Sequence, residues 1–317
     1  MFHGNVSLEI AKGLKTLGSR IEAANIPSSK LDETLNIATW NIREFGRKRR
    51  SEAAIHYIAE IIGQFDVVGI VELRDDLSDL ARVLPILGPY WRAVYSDAMP
   101  DPGGNRERVA YVYDTRAAVF TGLAAEAQTP RAKKGTEYLP QESFWRAPYL
   151  ASFRAGDFDF VLLTTHVRWS EEGDRLRELE LLANWIEAKR LDRTNEDRDL
   201  LVMGDFNIPT TNGPHFKAIT KHGLQIPRAL RGLTHGSNLE KDKRYDQILH
   251  YATFHENFSG AGGVVDFYAG NHKPLFPDID KAAFTYQMSD HLPLWMQIRT
   301  DIDSQKLDQL IQVKDKG

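Results

Sequence analysis

Asp205 and Asn207, a carboxylate and a carboxamide two residues apart, are the residues of this chain best placed to do chemistry. They follow the apolar run Leu200–Val202, which is typical of a buried strand. Gly204 lets the backbone turn tightly there. Near the C-terminus, Ser289-Asp290-His291 places a carboxylate beside an imidazole just before another predicted strand. Oxygen ligands at two strand ends indicate a site for a hard cation and a phosphate ester.

Polar side chains also stand at the ends of four other predicted strands. Asn41 and Glu72 follow the first two strands, His166 follows another, and Asp246 begins a fourth. Each has an ordinary explanation, such as a turn for Asn41 or a hydrogen-bonded core position for His166. Those explanations account poorly for six such strand ends together, so the set predicts one shared polar site.

Composition limits the classes of function. The chain has 317 residues, no cysteine and a formal net charge of −4. Disulfides, thiolate metal sites and cysteine nucleophiles are therefore excluded. Any polyanion site has to be a local patch, and the candidate is the basic run Arg47–Arg50, for which a solvated loop is the simpler explanation. No apolar run is long enough to predict a membrane span, no secretory leader is visible, and the compartment stays open between cytosol and exterior.

Periodicity supplies the elements that must position these residues. Strands are predicted at Leu35–Trp40, Asp66–Val71, Arg108–Tyr113, Phe158–Thr165, Leu200–Met203, Tyr245–His250 and Leu294–Ile298. Helices are predicted over Val6–Ile21, after an N-cap at Ser51, from Asp76 to a stop at Pro85, and after a cap at Asp174. Pro100–Asn105 predicts an exposed loop. Strands with interspersed helices indicate two packed sheets covered by helices.

Eight segments, taken in order, resemble the endonuclease/exonuclease/phosphatase superfamily, with the closest likeness to its deoxyribonuclease I branch. They are Leu35–Gly46, Val71–Asp75, Asn105–Arg108, Phe144–Pro148, His166, Gly204–Asn207, Tyr245–Ile248 and Ser289–His291. The resemblance implies an α/β (α+β) fold: a four-layer αββα sandwich of two packed mixed β-sheets flanked by helices. It covers about residues 35–300, which predicts a helical extension at 1–30, a domain at 31–300 and a peripheral helix or frayed tail at 301–317.

The same resemblance implies the roles of individual residues. One or two Mg²⁺ ions, or Mn²⁺, would be bound by oxygen ligands from Asn41, Glu72, Asp205, Asn207 and Asp290. His166 would pair with Glu107 and His291 with Asp246, and Asp205 and Asn207 would join them in catalysis. One histidine would activate water and the other would bind the phosphate or protonate the leaving group, in an order that the sequence leaves open. Arg43, Arg74 and Arg146 would bind substrate phosphates.

Departures from that branch affect the substrate more than the chemistry. The chain lacks cysteines for the branch's disulfides, Gln247 replaces the arginine of its Tyr-Asp-Arg segment, and Val167–Trp169 differ. We expect first a DNA endonuclease that leaves 5′-phosphate and 3′-hydroxyl ends. The second reading is a phosphatase or phosphodiesterase acting on a small or lipid phosphate ester. The third, a non-catalytic binding module, is disfavoured because the site residues are all present. The oligomeric state is left open.

Overall fold

The part of the chain that the structure describes contains thirteen strands and eight helices. The computed structural model describes residues 1–99, 105–139, 141–192, 194, 199–251 and 258–314. The strands are β1 Thr34–Phe45, β2 Val67–Leu73, β3 Trp91–Tyr95, β4 Arg108–Asp114, β5 Val119–Glu126, β6 Lys133–Lys134, β7 Glu137–Tyr138, β8 Tyr149–Ala155, β9 Phe158–His166, β10 Leu200–Asp205, β11 Asp246–His250, β12 Phe258–Val264 and β13 Leu294–Arg299. The helices are α1 Leu8–Glu22, α2 Glu52–Ile62, α3 Ser78–Leu87, α4 Glu172–Leu191, α5 Pro214–Thr220, α6 Arg228–Arg231, α7 Lys281–Gln287 and α8 Asp303–Lys314.

Two mixed sheets form the centre. The first has the strand order β12-β13-β1-β2-β4-β3, and the second has the order β11-β10-β9-β8-β5. Within them β1 and β2 are parallel, as are β9 and β10, while the neighbouring pairs β1 with β13 and β10 with β11 are antiparallel. Helices cover both outer faces, so the predicted αββα architecture is confirmed.

Alternation along β4 shows how the layers are built. Val109, Tyr111 and Tyr113 face the second sheet, whereas Ala110 and Val112 face the helices over the first sheet. A strand buried on both faces has apolar residues at nearly every position. The Tyr111 hydroxyl lies 2.8 Å from the carbonyl oxygen of Tyr149 on β8, which ties the two sheets together.

The N-terminal helix α1 belongs to the layer that covers the first sheet. Its Ile10, Leu17 and Ile21 share a core cluster with residues of α2. At Gly13 a Cβ atom would lie 1.7 Å from the Tyr57 hydroxyl oxygen, so only glycine lets the two helices approach this closely. The residue boundaries of the domain stay a prediction.

Three local predictions need correction. Pro85 does not stop α3, which runs to Leu87 and ends at Gly88, whose φ is +116°. Asp174 is not the N-cap of α4, because the helix begins at Glu172 and Asp174 lies in its first turn, where a negative charge still favours the helix dipole. The first strand does not end near Asn41 but continues to Phe45. By contrast, Ser51 caps α2 as predicted and accepts a hydrogen bond from the Ala54 amide.

Four strands of the two central sheets lie outside the predicted set: β3, β5, β8 and β12. Three of them, β3, β5 and β12, are sheet edges. These three strands are partly exposed, so they need not carry an apolar run. Within the predicted tail, Asp303–Lys314 forms α8. The predicted loop at 100–105 lies outside the described residues except for Asn105, as do residues 315–317 of the tail.

Candidate active site

Three site residues lie side by side across the second sheet. Asp205 on β10 pairs in register with His166 on β9 and with Asp246 on β11. Gly204, with φ of +129°, precedes Asp205, and a Cβ atom there would lie 2.0 Å from the carbonyl oxygen of Thr165. Glycine is therefore required for the close approach of β9 and β10. The sheet register thus brings a carboxylate, an imidazole and a second carboxylate together at one edge.

The first sheet contributes Asn41 from β1 and Glu72 from β2. The Asn41 amide nitrogen donates to Glu72 Oε1 at 2.9 Å and to Asp205 Oδ2 at 3.1 Å, which links the two sheets. Glu72 has φ of +61°, a conformation that non-glycine residues rarely adopt. The Glu44 backbone amide donates to Glu72 Oε2 at 2.8 Å and helps to hold it there. Strain of this kind persists where the surroundings fix the side chain, as often happens in functional sites.

Two histidines are each backed by a buried carboxylate. His166 Nδ1 lies 2.6 Å from Glu107 Oε2, and His291 Nδ1 lies 2.8 Å from Asp246 Oδ2. The opposite ring nitrogens converge, because both Nε2 atoms approach Asp205 Oδ2, at 3.6 Å for His166 and 3.7 Å for His291. The predicted pairings are therefore present in the geometry, and both imidazoles present Nε2 to the same point.

These contacts shift the protonation equilibria. Burial favours the neutral acid, but His166 and Arg146 outweigh burial and lower the pKa of Glu107 to about 2. Burial disfavours the imidazolium of His291, yet Asp246 and Asp205 raise the pKa of His291 well above its ordinary value. Burial raises the pKa of Asp246 against the attraction of His291. Each histidine can hold or release a proton at Nε2 while its carboxylate fixes the ring.

The three predicted phosphate-binding arginines all have protein neighbours. Arg146 is buried, and its Nη2 lies 3.2 Å from Glu107 Oε1, so it belongs to the His166 pair. Arg43 Nη1 donates to the Thr285 hydroxyl at 2.6 Å and lies 3.6 Å from Asp290 Oδ2. Arg74 Nη1 is 4.0 Å from Glu44 Oε1. All three lie in or beside the site, and phosphate binding by them stays a prediction.

Asn207 and Asp290 occupy different depths of the site. Asn207 is buried, its backbone amide donates to Asp205 Oδ1 at 2.9 Å, and its side-chain amide donates to the Val167 carbonyl at 2.7 Å. Asp290 is at the rim, with a side chain that is 45% exposed and paired with Arg43. Asn207 is therefore positioned rigidly, whereas Asp290 faces solvent.

The oxygen donors fit a hard divalent cation. Asn41 Oδ1 is buried and has no hydrogen-bond partner within the described part of the chain, a costly arrangement that a cation would relieve. It lies in the same cluster as the carboxylates of Glu72 and Asp205. Ligand atoms of Asp205, Asp246 and His291 also lie within 4.8 Å of one another. Asp246 and His291 are hydrogen-bonded to each other. Asp205 is therefore the carboxylate shared by the Asn41–Glu72 cluster and the Asp246–His291 pair.

Ser289 is a positioning residue that the sequence did not single out. Its buried hydroxyl donates to the backbone carbonyl of Asn41 at 2.6 Å and accepts from the backbone amide of His291 at 3.0 Å. One side chain thus ties a predicted metal ligand to a predicted catalytic histidine. Its place in Ser289-Asp290-His291 is the only signal in the sequence that points to it.

The basic run requires a correction at one residue. Arg47, Lys48 and Arg49 are exposed, as a polyanion-binding loop requires, but Arg50 is buried. Its guanidinium donates to the Arg43 carbonyl, and burial lowers the pKa of Arg50 to about 10 despite the nearby Asp79. Arg50 is therefore structural, and the exposed loop contains three cations rather than four.

Comparison with known proteins agrees with this geometry. A model of the family described as Endonuclease/Exonuclease/phosphatase matches residues 38–291. Deoxyribonuclease-1 of Bos taurus is 27% identical over an alignment of 203 residues that covers 62% of this chain and 68% of that protein. None of the helices that the structure describes is both long and apolar enough to cross a membrane.

Solved structures share the fold at low sequence identity. The structure of truncated Caenorhabditis elegans TDP2 superposes with a TM-score of 0.57 at 13% identity, covering 84% of this chain and 97% of that one. A mannosyl-6-phosphatase of Bacteroides thetaiotaomicron gives a TM-score of 0.52 at 17% identity, covering 83% of this chain and 99% of that one. At these identities the likeness concerns the fold alone.

Proposed function

Because this chain belongs to the endonuclease/exonuclease/phosphatase family, we propose that it is a metal-dependent phosphodiester hydrolase that cuts DNA and leaves 5′-phosphate and 3′-hydroxyl ends. The observation that carries the proposal is the convergence of two carboxylate-backed Nε2 atoms on Asp205. Hydrolysis of a phosphodiester needs one group that accepts a proton from water and one that serves the leaving oxygen. The likeness to deoxyribonuclease-1 supports DNA as the substrate.

The residues divide the reaction as follows. One histidine takes a proton from water at Nε2 while the water oxygen bonds to phosphorus on the side opposite the leaving 3′ oxygen. The other histidine hydrogen-bonds the phosphate or protonates that oxygen as its bond to phosphorus breaks. Asn207 orients the water or a phosphoryl oxygen. Mg²⁺ or Mn²⁺, held by Asn41, Glu72 and Asp205 with Asn207 and Asp290 nearby, would neutralise charge on the phosphate and the leaving oxygen.

The test is the chemistry of the broken ends. Purified protein should nick supercoiled plasmid, and DNA ligase should reseal those nicks without prior treatment. His291→Ala should abolish nicking. The control is His222, an exposed histidine that forms a hydrogen bond with Asn184, and His222→Ala should nick normally. Ends that carry a 3′-phosphate would overturn the proposed direction of cleavage. Equal nicking by all three proteins would point to a contaminating nuclease.

A second candidate is a phosphatase or phosphodiesterase for a small or lipid phosphate. The formal net charge of −4 favours it, since an acidic protein attracts a polyanion only through a local patch. The fold shared with a mannosyl-6-phosphatase also supports it. Parallel assays with plasmid, a sugar 6-phosphate, a lipid phosphodiester and bis-p-nitrophenyl phosphate separate the two. Turnover of a small ester without nicking would favour the second candidate.

A further inference from the structure

An aromatic surface adjoins the catalytic histidines and has no part in the hydrolysis described above. Trp169, three residues after His166, is 58% exposed. Its ring lies 5.8 Å from the Tyr245 ring, at an interplanar angle of 83°, and the Tyr245 ring lies 5.8 Å from the His291 ring. Trp169 is therefore two ring contacts away from a histidine that faces Asp205. That separation suits a base attached to a nucleotide whose phosphate lies at the histidines.

A buried cation holds the exposed ring in place. The guanidinium of Arg175 on α4 lies 4.3 Å from the centre of the Trp169 ring. Arg175 is only 6% exposed, and its Nη1 has no hydrogen-bond partner in the described ranges of the chain. A guanidinium buried in this way is unfavourable unless another interaction compensates, and the face of a tryptophan does so. Arg175 thus fixes the position of the Trp169 ring from its protein side, while more than half of the residue's surface stays exposed to solvent.

A second exposed tryptophan is also paired with an arginine, here the exposed Arg168. The Arg168 guanidinium lies 3.7 Å from the centre of the Trp145 ring, and Trp145 is 38% exposed. Trp145 directly precedes Arg146, which pairs with Glu107. Tryptophans are enriched at surfaces that bind other molecules. Two of them, each paired with arginine and next to a phosphate-directed site, match the combination of stacking and positive charge that binds single-stranded nucleic acid.

We propose that Trp169 stacks on the unpaired base of a nucleotide next to the scissile phosphate, so that single-stranded DNA is cleaved in preference to duplex. This inference rests on the proposed nuclease function. In a duplex each base is already stacked between its neighbours, so Trp169 can stack only on a base that has left the helix. Stacking is available to every base because each has a π face, so the contact selects strandedness rather than sequence.

The test removes the base and the tryptophan separately and together. A single-stranded oligonucleotide with one cleaved position is compared with versions in which one base at a time is replaced by an abasic analogue. For the unaltered protein, loss of one base beside the break should lower kcat/KM about tenfold, the scale of stacking one base on an aromatic side chain. Trp169→Ala should lose about tenfold on the intact strand and nothing further on the abasic strand. Trp169→Phe should restore most of the dependence on the base.

A matched control keeps the test specific. Tyr90 is also an exposed aromatic residue with a guanidinium above it, that of Arg116 at 4.8 Å. It lies beside Thr115, at the opposite end of β4 from Glu107. Tyr90→Ala should therefore leave both rates unchanged.

The outcomes separate the two proposals. The ratio of intact to abasic rates does not depend on how much of the protein is folded, so a partly unfolded Trp169→Ala sample still reports on stacking. If that ratio is unchanged in Trp169→Ala, or if single strands and duplex are cut equally by the unaltered protein, stacking by Trp169 is refuted while the nuclease function stands. If the unaltered protein cuts no DNA, the nuclease proposal fails and the stacking proposal fails with it.

Discussion

Replacing Glu107 by glutamine should destabilise the protein strongly at neutral pH. The pKa of Glu107 falls from an ordinary 4.5 to about 2, because the attraction of His166 and Arg146 exceeds the effect of burial. A difference of this size corresponds to about 3 kcal/mol, at about 1.4 kcal/mol per pH unit. Breaking a buried charge pair from one side typically costs a similar amount. Glu107→Gln should therefore lower the free energy of unfolding by about 3 kcal/mol at pH 7.

The sign of the pH dependence follows from the depressed pKa. Glu107 contributes stability that is fully present above the unfolded pKa of 4.5 and is lost as the pH falls towards about 2. The difference between the unaltered protein and Glu107→Gln should shrink by about 1.4 kcal/mol for each pH unit below 4.5. Urea unfolding of both proteins at pH 7 and pH 3.5, in EDTA to exclude bound metal, measures this directly.

An exposed pair with the same separation provides the control. Arg154 Nε lies 2.6 Å from Asp159 Oδ1, as close as His166 is to Glu107, but those two side chains are 59% and 43% exposed. Asp159→Asn should cost much less stability than Glu107→Gln, since water screens the exposed pair. A loss below about 1 kcal/mol for Glu107→Gln at pH 7, or an equal loss at both pH values, would refute the reasoning that His166 and Arg146 hold Glu107 as an anion.

Three further predictions concern activity. EDTA should abolish turnover, and Glu72→Ala should raise the Mg²⁺ concentration needed for half-maximal activity with little loss in thermal stability; full turnover in excess EDTA would contradict the metal site. His166→Ala and His291→Ala should each lower kcat by about a hundredfold or more while circular dichroism shows a folded protein, and normal turnover by either would remove its assigned role. Alanine at all three positions of the exposed basic loop, 47–49, should reduce the slope of log kcat/KM against log salt by up to about 3 on DNA, and an unchanged slope would exclude the loop from DNA binding.

Sequence alone located most of the residues that the structure brings together at the candidate site. The apolar runs end where Glu72, His166 and Asp205 begin to appear, and a short apolar run bounded by polar residues is a local property that needs no knowledge of contacts. The absence of cysteine limited the metal site to oxygen and imidazole ligands. The order of the segments then indicated the family and, through it, the two carboxylate–histidine pairs.

The tertiary structure decided which groups face one another. Glu107 and His166 are 59 residues apart, and they meet because β4 and β9 lie in different sheets that pack face to face. Burial also could not be predicted from the local sequence. Arg50 continues a basic run yet is buried, whereas Trp169 is apolar yet exposed, with its ring over the buried Arg175. The edge strands β3 and β5 carried no continuous apolar pattern because β3 is partly and β5 largely exposed, unlike β11, an edge strand that is buried throughout. Register and packing between distant segments determine these features. Neither can be predicted from the local sequence.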